Sequence, residues 1–431
     1  MNPEKILQAL ERVTNILNQD PMSLYSIIGP KSIQLEITNA CNLRCIMCDR
    51  WKWGSTHKEE LTSDELFSLF DELSSLGTQH ILISGGEPLL RKDFNEIIRY
   101  ITQKGIKVTI ITNGVFLTED LATVLIESDA TIIISLDASN EEIYSQIRGR
   151  QGVFPIIIKN ISALANLRDI NEKGYISMHM VIQKQNLNDV LPFFNLGKKL
   201  NVNTISYGLV HGPHIPERNI GFNKEDYSNL KATIKKLIDL KKKKHDIQID
   251  LRQELIAIYD NQISSESLES GLLVKELFKQ APVPCISLNY WALIDAFGDV
   301  YPCCYAYLDN LDYESARSLR EQLCFGNIQE IPFQEIWNGE KFNSFRNSMN
   351  PVAIDSYPIV CGNCGSYFFF KEKWDNICRL KEKVNDIYRN LELNLSSIRD
   401  IIIECFAKPI DRAPRAYPTE LEDLIRQIFD F

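Results

Sequence analysis

The chain has 431 residues, 44% of them hydrophobic and 24% charged, which is enough for two or three domains with a sizeable core. Its 47 Lys and Arg against 57 Asp and Glu leave a net charge of −10, which argues against nucleic acid as a bulk electrostatic partner. No apolar run is long enough to span a membrane and the start MNPEKILQAL has no signal-peptide pattern, so a cytoplasmic protein with no membrane partner is expected.

Residues 1–30 read as an amphipathic helix, with Ile6, Leu7, Leu10, Val13, Ile16 and Leu17 on one face, and a linker ending at Gly29-Pro30. From 31 to 214 strand and helix alternate. The predicted strands are 33–37, 81–84, 107–112, 131–136, 176–182 and 203–207. Between them, Thr62 to Glu65 forms a capping box ahead of Leu66, Phe70 and Leu73. Asp93 opens a second helix and Thr118 caps a third. Six βα repeats imply a parallel sheet with right-handed crossovers. Periodicity leaves open whether the repeats curl into a partial barrel or open into a doubly wound sheet.

The chemically interesting segments all follow strand carboxyl ends, where parallel α/β folds place their sites. Cys41, Cys45 and Cys48 follow the first strand and Gly85-Gly86-Glu87-Pro88 the second. Asn113 closes the third, Ser135 and Asp137 the fourth, Gln183 to Asn186 follow the fifth, and His211 and His214 the sixth. Residues 215–280 read as a polar helical connector whose Lys241–Lys244 run is a solvated helix end. Residues 281–370 carry short apolar stretches, turns and clustered cysteines. Residues 371–431 look helical, broken by Pro409, Pro414 and Pro418.

Eleven cysteines in a reducing compartment point to metal ligands before disulfides. Cys41, Cys45 and Cys48 sit at CxxxCxxC spacing, so one short loop can aim three thiolates at one point. A structural zinc or an electron-transfer cluster takes four protein ligands. Three leave one iron of a cubane cluster open. A structural zinc loop, or three incidental thiols, is the plainer alternative. The octapeptide Cys41 to Cys48, followed one βα unit later by Gly85-Gly86-Glu87-Pro88, resembles the signature of the radical S-adenosylmethionine (radical SAM) family.

That resemblance implies a partial (β/α)6 barrel, a [4Fe–4S] cluster on the three cysteines, and SAM bound at its open iron. It gives Gly85, Gly86 and Glu87 the methionyl amino group, and places Met47 beside the adenine with Asn113 facing the same pocket. Ser135 and Asp137 are candidates for the ribose hydroxyls, and Arg148 for the SAM carboxylate. The implied chemistry is reductive cleavage of SAM to a 5′-deoxyadenosyl radical that abstracts a substrate hydrogen. A flavodoxin- or ferredoxin-like reductant is the implied partner.

A second constellation comprises Cys285, Cys303, Cys361 and Cys364. A hairpin over 293–301, turning at Gly298-Asp299, brings the first two together, and Cys361-Gly362-Asn363-Cys364 supplies a CxxC pair. Spacing alone permits zinc or an iron–sulfur cluster. The stretch from Gly298 to Cys304, with Gly326-Asn327 and Trp337-Asn338, resembles the SPASM or twitch extension of radical SAM enzymes, which implies an auxiliary [4Fe–4S] cluster. No cysteine follows closely after Cys364, which favours one auxiliary cluster. Cys304, Cys324, Cys378 and Cys405 are expected to be inert packing; one of them as a hydrogen donor, or Cys378 as a cluster ligand, is the alternative.

The expected domains are therefore 1–30, a barrel over 31–214, a connector over 215–280, a SPASM/twitch unit over 281–370 and a helical segment over 371–431. Two substrates compete. One is a ribosomally made peptide, modified by crosslink, epimerisation or thioether formation. The other is a small molecule such as an aminocyclitol or sugar alcohol, dehydrogenated. Thirty residues before the barrel leave no room for a leader-binding domain, which weakens the first. A non-catalytic zinc or iron–sulfur protein is the third possibility, and it has no use for an open iron. Trp51 and Trp53, and a residue from the row containing Ser177 and His179, are candidates to line the substrate pocket.

Overall fold

A computed structural model describes residues 29–48, 50–53, 59–212, 215–243, 246–270, 273, 285–303, 320–349 and 375. The predicted first helix, the segment 371–431 apart from residue 375, His214 and five cysteines (Cys304, Cys361, Cys364, Cys378 and Cys405) lie outside the described residues. The described part is built on one ten-stranded sheet. Its strands are β1 (Ser32–Glu36), β2 (His80–Ser84), β3 (Lys107–Thr112), β4 (Thr131–Ser135), β5 (Tyr175–Ile182), β6 (Thr204–Leu209), β7 (Gln248–Leu251), β8 (Trp291–Ile294), β9 (Asp299–Tyr301) and β10 (Gly326–Asn327). They lie in the order β10-β9-β8-β1-β2-β3-β4-β5-β6-β7. From β8 across β1 to β7 every neighbouring pair is parallel, and β9 and β10 close one edge antiparallel.

The two faces of this sheet differ in chemistry. Ile33, Leu35, Ile81, Ile83, Ile110, Ile132, Ile134, Ile176, Met178 and Met180 are fully buried on one face. They share a core with helix residues such as Leu66, Phe70, Ile97, Ile98 and Ile101. The other face is mixed: Leu82, Ile111, Ile133 and Val181 alternate there with polar residues, several of which bond sideways along the sheet. Ser32 Oγ lies 3.0 Å from His80 Nδ1, His80 Nε2 lies 2.8 Å from Thr109 Oγ1, and Gln34 Nε2 donates to Ser84 Oγ at 3.1 Å. A doubly wound sheet needs apolar residues on both faces. One wholly apolar and one mixed face is the partial-barrel solution, with helices outside and a partly polar inner wall. The edges β10 and β7 do not pair, so the barrel stays open.

The capping box forms as the sequence indicates. Thr62 N–H donates to Glu65 Oε2 at 2.7 Å and Glu65 N–H to Thr62 Oγ1 at 3.3 Å, opening the helix Ser63–Ser75. Thr118 caps Glu119–Glu127 through Leu121 N–H. Asp93 precedes Phe94–Gln103 without capping it, because its carboxylate is held by Ser63 and Arg91.

Two features depart from expectation. The connector is not purely helical: it contains the seventh parallel strand, β7, between the helices Tyr227–Lys241 and Gln253–Tyr259. The hairpin β8–β9 also does not stand apart from the barrel, because β8 pairs directly with β1. The segment beyond β10 docks on the helix Ser63–Ser75, where Glu72 accepts N–H bonds from Phe333 (3.1 Å) and Gln334 (2.7 Å) at the start of the helix Phe333–Trp337. No helix among the described residues is long and apolar enough to cross a membrane.

Asp295 holds the β8–β9 turn. Its Oδ1 accepts from Phe297 N–H at 3.0 Å and Asp299 N–H at 2.9 Å. Burial, with Asp299 and Glu36 nearby, pushes its carboxyl up to about 7. The folded chain therefore holds this proton more tightly than the unfolded chain does. The contribution is full below the ordinary carboxylate range and is lost as pH climbs through about 7. Asp295→Asn keeps an acceptor oxygen and removes the titration. Its urea-derived stability relative to wild type is expected to rise by about 2 kcal/mol between pH 5 and pH 8. A difference that stays constant over that range would show that Asp295 does not titrate in the fold.

Candidate functional site

The cysteine loop begins where β1 ends and is tied down at both ends. Glu36 and Arg50 form a buried two-pronged ion pair, with contacts of 2.5 and 2.7 Å. Glu60 accepts from Thr38 Oγ1 at 3.0 Å and Asn39 N–H at 2.7 Å. Two neighbouring segments then clamp the loop by backbone alone. From the β2 side, Gly86 N–H donates to Thr38 C=O (2.8 Å) and Glu87 N–H to Ala40 C=O (2.7 Å). From the end of the helix Glu141–Arg148, the carbonyls of Arg148 and Ile147 accept from Arg44 N–H (3.2 Å) and Ile46 N–H (2.9 Å). Arg218 and Arg150 add side-chain bonds to the carbonyls of Ile46 and Asn42.

These contacts explain the glycines. A Cβ on Gly85 (φ +134°) would stand 2.3 Å from Thr38 O, and one on Gly86 2.1 Å from Ala40 O. A Cβ on Gly149 (φ +68°) would stand 2.4 Å from Arg44 O. In the described structure the cysteine-loop backbone approaches Gly85 and Gly86 closely.

Glu87 is fully buried at the base of this junction. Its Oε1 accepts from Thr112 Oγ1 (2.7 Å) and Leu89 N–H (3.1 Å), and its Oε2 from Asn113 N–H (2.7 Å). Burial pushes its carboxyl up, and these bonds partly offset that. Ionised, it offers about four lone-pair directions, of which the three bonds leave one. Asn113 reaches back to the loop, donating to Asn42 Oδ1 at 2.8 Å. Asp137, in the left-handed region at φ +60°, accepts from Val181 N–H (2.7 Å) and pairs with Arg148 at 2.6 Å. Arg148 Nη1 lies 3.6 Å from Cys45 Sγ. Asp137 and Arg148 thus hold each other beside a cysteine. Ser135 is half-buried on the inner wall, and Met47 packs partly buried against the core. The structure therefore gathers Cys41, Cys45, Glu87, Asn113, Asp137 and Arg148 into one neighbourhood.

The donor set fits an iron–sulfur cluster with one open iron. Burial raises the Cys41 and Cys45 thiols, opposed by Leu43 N–H at Cys41 and chiefly by Arg148 at Cys45. Ligation needs thiolates, so buried sulfurs with a single guanidinium close by call for further positive charge. Among the described residues no three His, Cys, Asp or Glu side chains are gathered closely enough for a single metal ion. Ligands of a cubane, one per iron, stand further apart.

Of the second set, Cys285 and Cys303 are described; both pack against the core, and burial raises the Cys285 thiol. Cys324, expected to be inert, precedes β10, whose Gly326 pairs with Val300. That brings it toward Cys303, and its thiol faces Gly326 C=O at 3.6 Å. Trp51 lies under the Arg44 guanidinium, 5.3 Å from the ring centre. Sequence patterns did not reveal Glu36–Arg50, or the Ser139–Asp189 contact beyond β4. Each pairs residues remote in the chain, and neither charge pattern nor spacing announces such pairs.

Comparison with known proteins follows the same division. The Radical SAM superfamily profile matches residues 35–197, and that of an iron–sulfur cluster-binding domain, SPASM, matches 285–365. The chain is 27% identical over 342 residues to the AdoMet-dependent heme synthase of Methanosarcina barkeri, covering 78% of this chain and 91% of that one. It is 27% identical over 349 residues to the mycofactocin maturase MftC of Mycolicibacterium smegmatis, covering 79% and 76%. Among solved structures, Streptococcus suis SuiB superposes with a TM-score of 0.55 at 16% identity, covering 74% and 68%. The enzyme anSMEcpe with bound AdoMet superposes with 0.54 at 18%, covering 80% and 88%.

Gly149→Ala is expected to cost about 1–3 kcal/mol and to lower the iron bound at the loop after anaerobic reconstitution. Gly105 also has positive φ (+75°), but a Cβ there meets nothing within 4 Å. Gly105→Ala should cost about 1 kcal/mol and leave iron content unchanged. Equal iron in the two variants would show that the backbone clamp does not position the cysteines.

Proposed function

The chain belongs to the radical SAM superfamily and carries a SPASM-type iron–sulfur domain, and we propose that it modifies a ribosomally made peptide. The two domains imply a SAM-binding [4Fe–4S] cluster, auxiliary iron–sulfur binding, and SAM as cofactor. When bound, these supply a 5′-deoxyadenosyl radical that removes a substrate hydrogen. In this reading Cys41, Cys45 and Cys48 hold the first cluster. Cys285, Cys303, Cys361 and Cys364 hold one auxiliary cluster. Glu87 offers its remaining acceptor position to the methionyl ammonium. Arg148, Ser135, Asp137, Met47 and Asn113 complete the SAM pocket, and a flavodoxin- or ferredoxin-like protein delivers the electron.

The observation that carries the proposal is the level row of half-buried Ser135, His179, Ser206 and Asp250 on the inner face of the sheet. These side chains can hydrogen-bond a polar substrate. A peptide suits such a wall. Neighbours of the same fold are known with peptides bound: SuiB with precursor peptide SuiA, and anSMEcpe with Kp18Cys peptide. A second reading is favoured by the match to the heme synthase, which spans 91% of that protein. Its substrate would be an iron porphyrin.

Anaerobic reconstitution tests the cofactor assignment. Wild type should hold about eight irons and the Cys41→Ala/Cys45→Ala/Cys48→Ala variant about four. Close to four in wild type would remove the auxiliary cluster. With dithionite and SAM, wild type should release 5′-deoxyadenosine and the variant none; release by both would overturn the site. Offered precursor peptides encoded beside its gene, the enzyme should change the mass or stereochemistry of one. Turnover of iron coproporphyrin with no peptide changed would move the function to the second reading.

A further inference from the structure

The geometry points to a carboxylate-binding site on the inner wall, in which Arg252, lying across Gly208 against His179, anchors an acidic group of the substrate. This rests on the substrate occupying the barrel beside the SAM pocket, and it names the group by which the substrate is held.

The site follows from strand register. His179 on β5, Ser206 on β6 and Asp250 on β7 are level with one another, and Ser135 on β4 is level with His179. This is one polar row on the inner wall. His179 Nδ1 lies 3.2 Å from Ser206 Oγ, which donates to Asp250 Oδ2 at 3.4 Å. One step toward the carboxyl end, the β6 position is Gly208, level with Val181. Beyond β7, Arg252 N–H donates to Tyr207 C=O at 3.0 Å, continuing the ladder. With no side chain on Gly208, the arginine stem fills the place. A Cβ there would stand 3.1 Å from Arg252 Cδ, 3.4 Å from its Nε and 3.5 Å from His179 Cε1. Any larger residue at 208 would push Arg252 off the wall.

The guanidinium has no partner among the described residues. That sets it apart from Arg50 on Glu36, Arg91 on Asp93, Arg148 on Asp137 and Arg168 on Asp169. The neighbouring histidines add donors without adding charge. Burial, reinforced by Arg252 and Arg148, holds His179 down at about 3. Burial and Arg252 hold His211 at about 4. Both are neutral near pH 7. Two carboxylates stand close by, but each is engaged elsewhere, Asp250 by Ser206 and Glu254 by Leu209 N–H. The exposed Arg252 guanidinium bonds to neither, and its planar fork matches a further carboxylate bidentately. His179 feels both Arg252 and Arg148, and Arg148 touches Cys45. An acid held at Arg252 thus keeps its molecule within the stretch of wall leading to the cysteine loop.

Phenylglyoxal labelling of the anaerobic, cluster-bearing, SAM-bound wild type tests this, with modification at each arginine followed by peptide mass mapping. The probes are the acid of acetyl-glycyl-glycine, the corresponding amide, and propionate. At a concentration about tenfold above its dissociation constant the acid should slow labelling of Arg252 about tenfold, and the amide at the same concentration hardly at all. Arg150, exposed like Arg252 but bonded to Asn42 C=O, should label at one rate throughout. Protection by neither acid, or by the amide as well as by the acid, overturns the site. Protection by propionate but not by the dipeptide acid keeps the carboxylate site and removes the peptide reading. Failure of the protein to bind SAM, with Arg252 still protected by acid, would overturn the proposed function and not this anchor.

Discussion

The arrangement depends on backbone packed against backbone around the cysteine loop. Peptide groups of residues 85–87 bond to those of residues 38–40, and the end of the helix Glu141–Arg148 bonds to residues 44 and 46. Side chains at this junction would hold the strands apart. Glycine at 85, 86 and 149 lets carbonyl oxygens come within 2.1–2.4 Å of where a Cβ would sit. The result is a short loop with little freedom to change shape. A ligand loop for an inorganic cluster needs this, since thiolates fixed in advance lose little entropy on binding.

The buried charges around the loop belong to the same design. Glu36 with Arg50 and Asp137 with Arg148 are almost wholly removed from water. A buried pair of this kind adds little net stability, but removing one partner is costly. Such pairs fix geometry more than they stabilise it. Glu36–Arg50 closes the loop across its two ends, at the end of β1. Asp137–Arg148 ties β4 to the helix that clamps the loop, and also places a guanidinium beside Cys45. Cys45 and the inner wall are thereby coupled through a single ion pair.

Much of this was legible in the chain. The first six strands read clearly because their outer faces are runs of Ile, Val and Met packed under helices, the pattern that buried parallel strands impose. The capping box at Thr62 was equally local. β7 was not legible. It is four residues, Gln248–Leu251, two of them polar because they face the inner wall, and it follows a lysine run that suits a helix end. The pairing of β8 with β1 was hidden for another reason: more than 250 residues separate the partners, and no local pattern names a distant neighbour. The site divided in the same way. Cysteine spacing and the GGEP turn announced the chemistry. That Gly85 and Gly86 face the loop, and that Arg252 reaches His179, depends on which segments the fold makes adjacent.

The sheet also fixes how Cys303 stands to Cys41. Leu293 on β8 is level with both Gln34 on β1 and Tyr301 on β9. Because β9 runs antiparallel, the chain leaves Tyr301 toward the amino end of β1 on its way to Cys303. Cys41 lies beyond the opposite, carboxyl end. At about 3.3 Å per residue, the strand positions alone separate the two cysteines by more than about 10 Å. Sulfurs so placed cannot ligate one cluster, so Cys41 and Cys303 cannot share a group. A group held by Cys303 stands away from the end of the barrel where Glu87, Arg148 and the cysteine loop converge. Its position suits exchange of an electron with that end better than a share in its ligands. The pairing of β8 with β1 makes that separation a rigid property of one sheet rather than of a hinge between domains.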